Sequence, residues 1–235
     1  MNNITIPNHI AIIMDGNRRW AKNINQSIHY GHKYGIKAIF DVIDNCLEFN
    51  VQYLTLFALS TENITNRGDA ELSFILKYIK ILFNKKQLNY LKNKNINIQI
   101  IGDFSLIKNS TIVNFINQWN DISKLQNPKL TVTICLPYGG KNDILYAVQK
   151  LIDNKNIEAK NITENDIYSN LMSNSIPDVD LLIRTGGEKR ISNFLLWHLS
   201  YSEIIFLNIM WPEFKKLDLY NCIQDYQGRE KRYGK

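Results

Sequence analysis

The chain has 235 residues, of which 45% are hydrophobic and 21% are charged. This composition argues against a disordered or fibrous protein, and the length is typical of one α/β domain that spans residues 1–235. The formal charge of +6 favours anionic partners, and charge alone leaves open whether these are nucleic acids, anionic lipids or small phosphorylated molecules.

The cysteines and the N-terminus indicate a cellular compartment. Cys46, Cys135 and Cys222 are odd in number and far apart, which argues against a disulfide framework and fits a reducing cytosol. The apolar run Ile10–Met14 is too short for a signal peptide or a membrane span. We therefore expect a cytoplasmic protein.

Apolar runs and helical patterns alternate along the chain, which predicts alternating strands and helices. Thr163 and Asp166 resemble a capping box at the start of one short helix. The predicted elements are, in chain order, a strand at His9–Met14, a helix from Gly31 to Leu47, a strand at Val51–Leu59, a helix at Asp69–Asn93, a strand at Ile96–Ile101, a helix at Ile112–Ile122, a strand at Leu130–Leu136, a helix at Asp143–Ile152, the short helix after Thr163, a strand at Val179–Ile183, a helix at Phe194–Leu199 and a strand at Ile204–Ile209.

This alternation predicts an α/β fold in which helices flank a mainly parallel central β-sheet. In such sheets, ligands bind in the crevice beyond the carboxyl ends of the strands. Two loops that contain arginines follow predicted strands, at Asp15–Trp20 and at Arg184–Asn193. We therefore expect both loops to open at the same edge of the sheet.

The first loop, Asp15-Gly16-Asn17-Arg18-Arg19-Trp20, combines groups that bind phosphates. Backbone N–H groups at a helix start attract anions, arginine binds phosphate through paired donors, and a carboxylate can hold the Mg²⁺ that accompanies a diphosphate. An ordinary Asp-Gly turn with solvated arginines explains the same residues about equally well.

The second loop carries Arg184, Arg190 and Ser192 together with the pair Gly186-Gly187, before a predicted helix. Glycine lets the backbone approach a ligand closely, and two guanidinium groups with a hydroxyl offer several donors to one diphosphate. The alternative is a left-handed turn with surface arginines, and the density of donors favours the anion site.

The residue types alone leave three further positions ambiguous. His32 lies near a helix start, where a histidine is usually an ordinary polar residue. The segment Ser60-Thr61-Glu62-Asn63 follows a predicted strand and can cap the next helix. Glu203 is typical of a surface carboxylate.

The chain carries five motifs, which are His9–Ala21, Gly31-His32, Ser60-Thr61-Glu62-Asn63, Tyr138-Gly139-Gly140 and Ile183–Phe194. Together they resemble the cis-prenyltransferase family, and the match runs from His9 to Gly234. The resemblance implies that isopentenyl diphosphate units are condensed onto an allylic primer, usually farnesyl diphosphate, to give a long polyprenyl diphosphate such as the undecaprenyl carrier of cell-wall synthesis. It also implies a hydrophobic tunnel lined by the helix Asp69–Asn93, with Leu130 as a candidate limit on chain length.

The same resemblance implies roles for individual residues. Asp15 and Glu203 would hold Mg²⁺, and Asp15, His32, Ser60 and Asn63 would be the catalytic group, with the identity of the base left open. Arg184, Arg190 and Ser192 would bind isopentenyl diphosphate. Gly16, Asn17, Arg18 and Arg19 would bind the allylic diphosphate, and His32, Ser60 and Asn63 would form hydrogen bonds around the allylic group. Further substrate-binding residues would be Trp20, Glu62, Arg67 and Arg232.

Family membership further implies a homodimer in which Arg232-Tyr233-Gly234 reaches the neighbouring active site, and contact with the inner membrane face through the lipid product. The pattern departs from the family near Ile28, where an arginine is usual, and at Ile64, where a tryptophan is usual. Rival interpretations are a non-catalytic or shorter-chain homologue and a basic nucleic-acid-binding module. The arginines cluster with glycines at strand ends, which disfavours the nucleic-acid module.

Overall fold

The computed structural model describes residues 6–66, 84–154 and 159–229. Within these ranges six strands form one sheet in the order β3-β4-β2-β1-β5-β6, and every pairing is parallel. The predicted α/β fold with a parallel sheet is therefore confirmed, and each predicted strand is present. The strands are β1 (His9–Ile13), β2 (Tyr53–Phe57), β3 (Ile96–Ile101), β4 (Leu130–Cys135), β5 (Leu181–Arg184) and β6 (Glu203–Phe206).

Helices flank the sheet, and eight of them are α-helices in the described ranges. The capping box at Thr163 and Asp166 is confirmed, because both of its hydrogen bonds are present at the start of the seventh helix. None of the helices in this part of the chain has the length and apolar character needed to cross a bilayer. The helices are α1 (Asn17–Asn23), α2 (Ile28–Glu48), α3 (Thr61–Asn66), α4 (Lys85–Asn93), α5 (Ser110–Ser123), α6 (Gly140–Asp153), α7 (Glu164–Asn170) and α8 (Lys216–Gly228).

Two helix predictions are wrong, and three helices of the described ranges, α1, α3 and α8, were not predicted. Helix α1 begins at Asn17, inside the segment Asp15–Trp20 that was predicted as a loop. The segment Phe194–Leu199 forms turns, because Leu195 has a positive φ of 39° that a helix does not permit. Asn84 excludes a continuous helix over Asp69–Asn93, because its backbone is extended and its side-chain oxygen caps the start of α4. Residues 67–83 lie outside the described ranges. Helix α8 was missed although its buried residues recur at helical spacing: Leu219, Cys222, Ile223 and Tyr226.

The core lies on both faces of the sheet, which explains why the strands are almost continuously apolar. Alternate residues of β1 point to opposite faces. Ile10 and Ile12 belong to the larger cluster, which includes buried residues of α2, α5 and α8. Ala11 and Ile13 belong to a smaller cluster that includes Phe194.

His9 begins β1 with a side chain that is fully buried. Its Nε2 lies 2.8 Å from the hydroxyl of Thr55, and its Nδ1 lies 2.8 Å from the carbonyl oxygen of Pro177. Burial lowers the pKa of His9 to about 4, although the hydrogen bond to Pro177 opposes the shift. The folded protein therefore holds this imidazole neutral.

This lowered pKa predicts a loss of stability in acid. Below about pH 6.5, the ordinary pKa of histidine, the unfolded chain takes up a proton that the folded protein does not accept until about pH 4. Stability is therefore lost as the pH falls through this window, and above it His9 has no effect of this kind. Urea unfolding of His9→Gln at pH 7 and pH 4 should show a pH-dependent loss that is smaller than in the wild type by up to about 3 kcal/mol.

His29→Gln is the matched control, since His29 is exposed. We expect this variant to keep the pH dependence of the wild type. An unchanged pH dependence in His9→Gln would contradict the assignment.

Candidate active site

Three neighbouring strands of the sheet, β2-β1-β5, end at one edge, and the segments that follow them meet there. The chain runs from β1 toward β2 on one side and places β5 and β6 on the other, so this edge is a topological switch point. The segments begin at Asp15, Ser60 and Thr185. Both arginine loops therefore open at the same edge, as predicted.

Thr185 fixes the turn that carries Asp15. Its buried hydroxyl accepts a hydrogen bond from the Asp15 amide at 3.0 Å and donates one to the Asp15 carbonyl at 2.8 Å. The next residue, Gly16, has a φ of +108°, and a Cβ atom there would lie 2.7 Å from the sulfur of Met210. Both the backbone angle and the close approach require glycine at this position.

A chain of alternating charges joins the two arginine loops. The Asp15 carboxylate lies 2.9 Å from Nη2 of Arg184 and 3.1 Å from Nη2 of Arg19. Glu188 continues the chain, at 3.7 Å from Nη1 of Arg19 and 2.5 Å from Nη1 of Arg190. Three guanidinium groups are thus held close together by two carboxylates, which leaves the network with an excess of positive charge.

The second loop places its glycines against this network. Gly186 and Gly187 have φ angles of 85° and 81°, so the left-handed turn considered as an alternative is present together with the arginine network. A Cβ atom on Gly186 would lie 2.7 Å from Nη2 of Arg19. Arg184 donates from Nη1 to the Ser192 hydroxyl at 2.7 Å and is itself almost fully buried.

The segment after β2 forms the third wall. The Ser60 hydroxyl accepts a hydrogen bond from the amide of Asn63 at 3.1 Å, which confirms that Ser60 caps α3. Asn193 donates from Nδ2 to the Glu62 carboxylate at 2.8 Å and so connects the third wall to the second loop. Partial burial raises the pKa of Glu62, but hydrogen bonds from its own amide, from Asn193 and from two neighbouring hydroxyls lower it overall. Glu62 is therefore held in its ionised form.

These walls enclose a cleft of about 540 Å³. Seven of the residues predicted from sequence line it: Asp15, Ser60, Glu62, Asn63, Arg184, Arg190 and Ser192. The remaining lining residues are Ile13, Met14, Phe57, Ala58, Leu59 and Asn193. The cleft thus combines apolar strand ends with charged and amide groups.

Other predicted residues lie beside this cleft rather than in its lining. Arg18 and Arg19 line a neighbouring hollow between α1 and α2, and Arg19 also contacts Asp15. Trp20 stacks on Tyr30 with ring centroids 5.9 Å apart. His32 is half-buried on α2. Arg67 and Arg232 lie outside the described residues.

Glu203 lies at the amino ends of the strands, whereas Asp15 follows the carboxyl end of β1. It begins β6 and pairs with Leu181, three residues before Arg184, which corresponds to about 10 Å along the strand. Its carboxylate accepts a hydrogen bond from Arg229 at 2.8 Å. Within one chain, Glu203 therefore does not join Asp15, and its predicted metal role stays a prediction.

The donor set at Asp15 fits a magnesium ion that arrives with a diphosphate. The described residues contain no cluster of three or more histidine, cysteine, aspartate or glutamate side chains that could hold a metal. Magnesium commonly binds one or two carboxylates and completes its shell with substrate phosphates and water. Asp15 is a partly exposed carboxylate among arginines, which satisfies the protein's part of such a site.

The sequence prediction missed several residues that shape the site. Glu188 lies between the glycine pair and Arg190. An acidic residue beside the basic residues of this loop was the available sign of an ion pair. Thr185 and Asn193 stand within the quoted motif, but only the structure shows which groups they hold.

A buried polar network behind the cleft was also missed. Asp143 accepts hydrogen bonds from the hydroxyls of Tyr138, at 2.6 Å, and Ser173, at 2.5 Å. The hydroxyl of Ser173 lies 2.8 Å from Nε2 of His198. The backbone of Tyr138 donates to Leu59 and accepts from Thr61, so this network supports the third wall of the cleft. Ser173 and His198 are far in sequence from Tyr138 and Asp143, so the network has no recognisable spacing.

An α/β fold with glycine turns and guanidinium groups at a switch point defines a protein that binds anionic ligands. Comparison with known proteins makes this class specific. The family model described as "Putative undecaprenyl diphosphate synthase" matches residues 13–234. An isoprenyl transferase of Clostridium tetani is 39% identical, covering 97% of this chain and 89% of the relative.

Two further relatives differ in the substrates that their names and titles give. A tritrans,polycis-undecaprenyl-diphosphate synthase (GGDP specific) of Sulfolobus acidocaldarius is 38% identical, over 97% of this chain and 88% of the relative. The crystal structure of lavandulyl diphosphate synthase from Lavandula x intermedia, in complex with dimethylallyl diphosphate, has a TM-score of 0.91 and 30% identity. That match covers 98% of this chain and 99% of the lavender chain. The chain therefore belongs to the cis-prenyltransferase family and is a prenyl-transferring enzyme.

The Tyr138 network generates a prediction for this activity. Tyr138→Phe removes a hydroxyl from buried Asp143 and should lower the free energy of unfolding by about 1–2 kcal/mol. Because the Tyr138 backbone holds the segment Leu59–Thr61, we also expect the rate of prenyl transfer to fall severalfold at temperatures where the variant is fully folded.

Tyr168→Phe is the matched control, because it removes a hydroxyl of α7 that donates a hydrogen bond to the carbonyl of Ile176. It should lose stability without losing rate. Equal rates in wild type and Tyr138→Phe would show that the network does not position the cleft.

Proposed function

We propose that this enzyme condenses isopentenyl diphosphate units onto farnesyl diphosphate to give a long-chain polyprenyl diphosphate, specifically the undecaprenyl carrier of cell-wall synthesis. The observation that carries the proposal is the Asp15 carboxylate, which lines the cleft and contacts arginines of two separate loops. A condensation of two diphosphates needs two adjacent anion sites. Arg184 and Arg190 of the second loop line the cleft, and Arg18 and Arg19 of the first loop line the hollow beside it.

The two loops divide the substrates between them in this proposal. The allylic diphosphate binds the first loop, at the backbone of Gly16 and Asn17 and the side chains of Arg18 and Arg19, with Trp20 alongside. Isopentenyl diphosphate binds Arg184, Arg190 and Ser192 of the second loop. Two contacts of Asp15 support this division. Arg184 contacts the Asp15 carboxylate and donates a hydrogen bond to the Ser192 hydroxyl. Arg19 of the first loop contacts the same carboxylate.

The chemistry follows from this division. The carbon–oxygen bond of the allylic diphosphate breaks and its electron pair leaves with the diphosphate, where the arginines stabilise the developing charge. A new carbon–carbon bond forms to the alkene of isopentenyl diphosphate, which then loses a proton. Magnesium held by Asp15 and the diphosphate would supply further stabilisation of the leaving group.

Proton removal is assigned to the group His32, Ser60 and Asn63. Ser60 and Asn63 line the cleft, while His32 lies on α2 outside the lining. The cleft therefore favours Ser60 and Asn63 as the members nearest the reacting atoms, with Glu62 held ionised beside them.

The proposal names a primer and a product length, and the names and titles of the relatives differ in both. Leu130 is fully buried at the amino end of β4, about 17 Å from the carboxyl end at Cys135. This depth supports its proposed role as the limit of a tunnel that starts at the cleft. Most of the predicted tunnel wall at Asp69–Asn93 lies outside the described residues, as does Arg67.

We also propose that the active enzyme is a homodimer. Glu203 lies at the amino edge of the sheet, so its contribution to a magnesium site at Asp15 requires a second copy of the chain. Arg232 is assigned to the active site of that second copy and lies outside the described residues.

The proposal is tested by incubating the purified protein with farnesyl diphosphate, labelled isopentenyl diphosphate and Mg²⁺, and sizing the extracted product. Asp15→Ala should lower the turnover number by on the order of 100-fold or more, because Arg19 and Arg184 lose their shared carboxylate and magnesium loses its protein ligand. Asp121→Ala, an exposed aspartate on α5, is the control and should retain the wild-type rate. Absence of labelled polyprenol from the wild type would refute the proposed function.

The division of substrates predicts a selective effect at Ser192. Ser192→Ala should raise the KM for isopentenyl diphosphate about tenfold, because a hydrogen bond to a charged group is lost, and leave the KM for the allylic primer unchanged. Ser200→Ala removes a hydroxyl that bonds the Trp197 carbonyl and should change neither constant. A rise in the primer KM alone would reverse the assignment of the two loops.

A further inference from the structure

Asn193 is the point at which three segments around the cleft meet. Its Nδ2 donates a hydrogen bond to the Glu62 carboxylate at 2.8 Å. Its Oδ1 accepts one from the backbone amide of Lys141 at 2.9 Å, and its carbonyl oxygen accepts one from the amide of Gly140 at 2.6 Å. One residue at the end of the second loop thus holds both the third wall of the cleft and the first turn of α6.

The backbone and the side chain at this position both suit asparagine. Asn193 has a φ of 62°, in the left-handed region, where asparagine is among the few residue types found besides glycine. The orientation of its amide group follows from its partners, because an ionised Glu62 can only accept and the Lys141 amide can only donate. Aspartate would keep the acceptor and lose the donor, and glycine would lose both.

The motif Tyr138-Gly139-Gly140 leaves room for this arrangement. A Cβ atom on Gly139 would lie 2.9 Å from Nδ2 of Asn193 and 2.7 Å from the hydroxyl oxygen of Thr61. A Cβ atom on Gly140 would lie 2.8 Å from the backbone nitrogen of Leu196. Both glycines are therefore needed because the turn that contains Asn193 packs directly against them.

The third wall needs contacts of this kind because its helix is short. Helix α3 has only six residues, and a helix of this length is not stable by itself. The backbone amide of Thr61 donates to the carbonyl of Tyr138 at 3.0 Å, and the side chain of Glu62 adds the bond to Asn193. The residues of this wall that line the cleft therefore take their positions from neighbouring segments.

We propose that Asn193 is a positioning residue for prenyl transfer. Through Glu62 it holds the third wall of the cleft at a fixed distance from the second loop. The inference rests on the proposed function, in which Ser192 of the second loop binds isopentenyl diphosphate and Ser60 and Asn63 of the third wall act near the reacting atoms. Loss of the contact should slow the reaction more than it weakens substrate binding, because a misplacement of about 1 Å can lower a rate about 100-fold.

Reversal of the hydrogen bond tests this role. Asn193→Asp keeps the acceptor for Lys141 and places a second carboxylate against Glu62. Near neutral pH its kcat should fall by about tenfold or more, while the KM for each substrate changes by less than about threefold. Glu62→Gln with Asn193→Asp exchanges donor and acceptor, so this double variant should regain a kcat within about threefold of Glu62→Gln alone.

A matched control uses the same substitution at another left-handed asparagine. Asn95 has a φ of 57°, and its Nδ2 donates to the carbonyl of Asn127 at 3.1 Å, at the amino end of β3. Asn95→Asp should lower the unfolding temperature and leave kcat unchanged. Equal kcat values of wild type and Asn193→Asp would overturn the proposal, as would a loss that the double variant does not reverse. A rise in KM without a fall in kcat would overturn it in favour of a role in substrate binding.

Hydrogen exchange without substrates separates this inference from the proposed function. In Asn193→Asp the amides of Thr61–Asn63 should exchange about fivefold faster or more than in the wild type, and in the double variant they should return to the wild-type rate. Unchanged exchange in Asn193→Asp would overturn the role of Asn193 alone. A wild type that yields no labelled polyprenol would refute the proposed function, and the exchange rates would still decide whether Asn193 holds the third wall.

Discussion

The cleft depends on one carboxylate, that of Asp15, placed between two guanidinium groups. Arg19 and Arg184 come from loops that are far apart in sequence, and like charges at this separation repel each other unless an anion lies between them. Asp15 supplies that anion in the protein itself, and Glu188 repeats the arrangement between Arg19 and Arg190. The cationic groups are thereby held close together, where they can bind an anionic ligand.

This arrangement is possible because backbone approaches backbone at the switch point of the sheet. Strand β1 lies between β2 and β5, so the loops that follow all three strands emerge side by side. Gly186 lets the second loop lie directly against Arg19, and Thr185 holds the Asp15 turn through both of its backbone groups. Behind the third wall, buried Asp143 supports Tyr138, whose backbone holds the segment after β2. The positions of the charged groups are thus set by buried and conformationally restricted neighbours.

The two edges of the sheet have different roles in the proposed function. The carboxyl edge carries the cleft and the neighbouring hollow lined by Arg18 and Arg19. The amino edge carries Glu203, which pairs with Arg229, and the buried start of β4 at Leu130. A product that grows from the first edge toward the second, and a metal ligand contributed by a second chain, would make use of both edges.

The sequence by itself determined the strands, the parallel sheet and the two arginine loops, because apolar runs and glycine–arginine clusters are local signals. It did not determine Phe194–Leu199, where a left-handed Leu195 breaks an apparently helical pattern. It also did not predict the short helices α1 and α3, or α8, although the buried residues of α8 recur at helical spacing. Only the tertiary structure decided which charges meet. It joined Asp15 to Arg184, connected Glu62 to Asn193, and separated Glu203 from Asp15, since these contacts depend on strand order and register rather than on neighbouring residues.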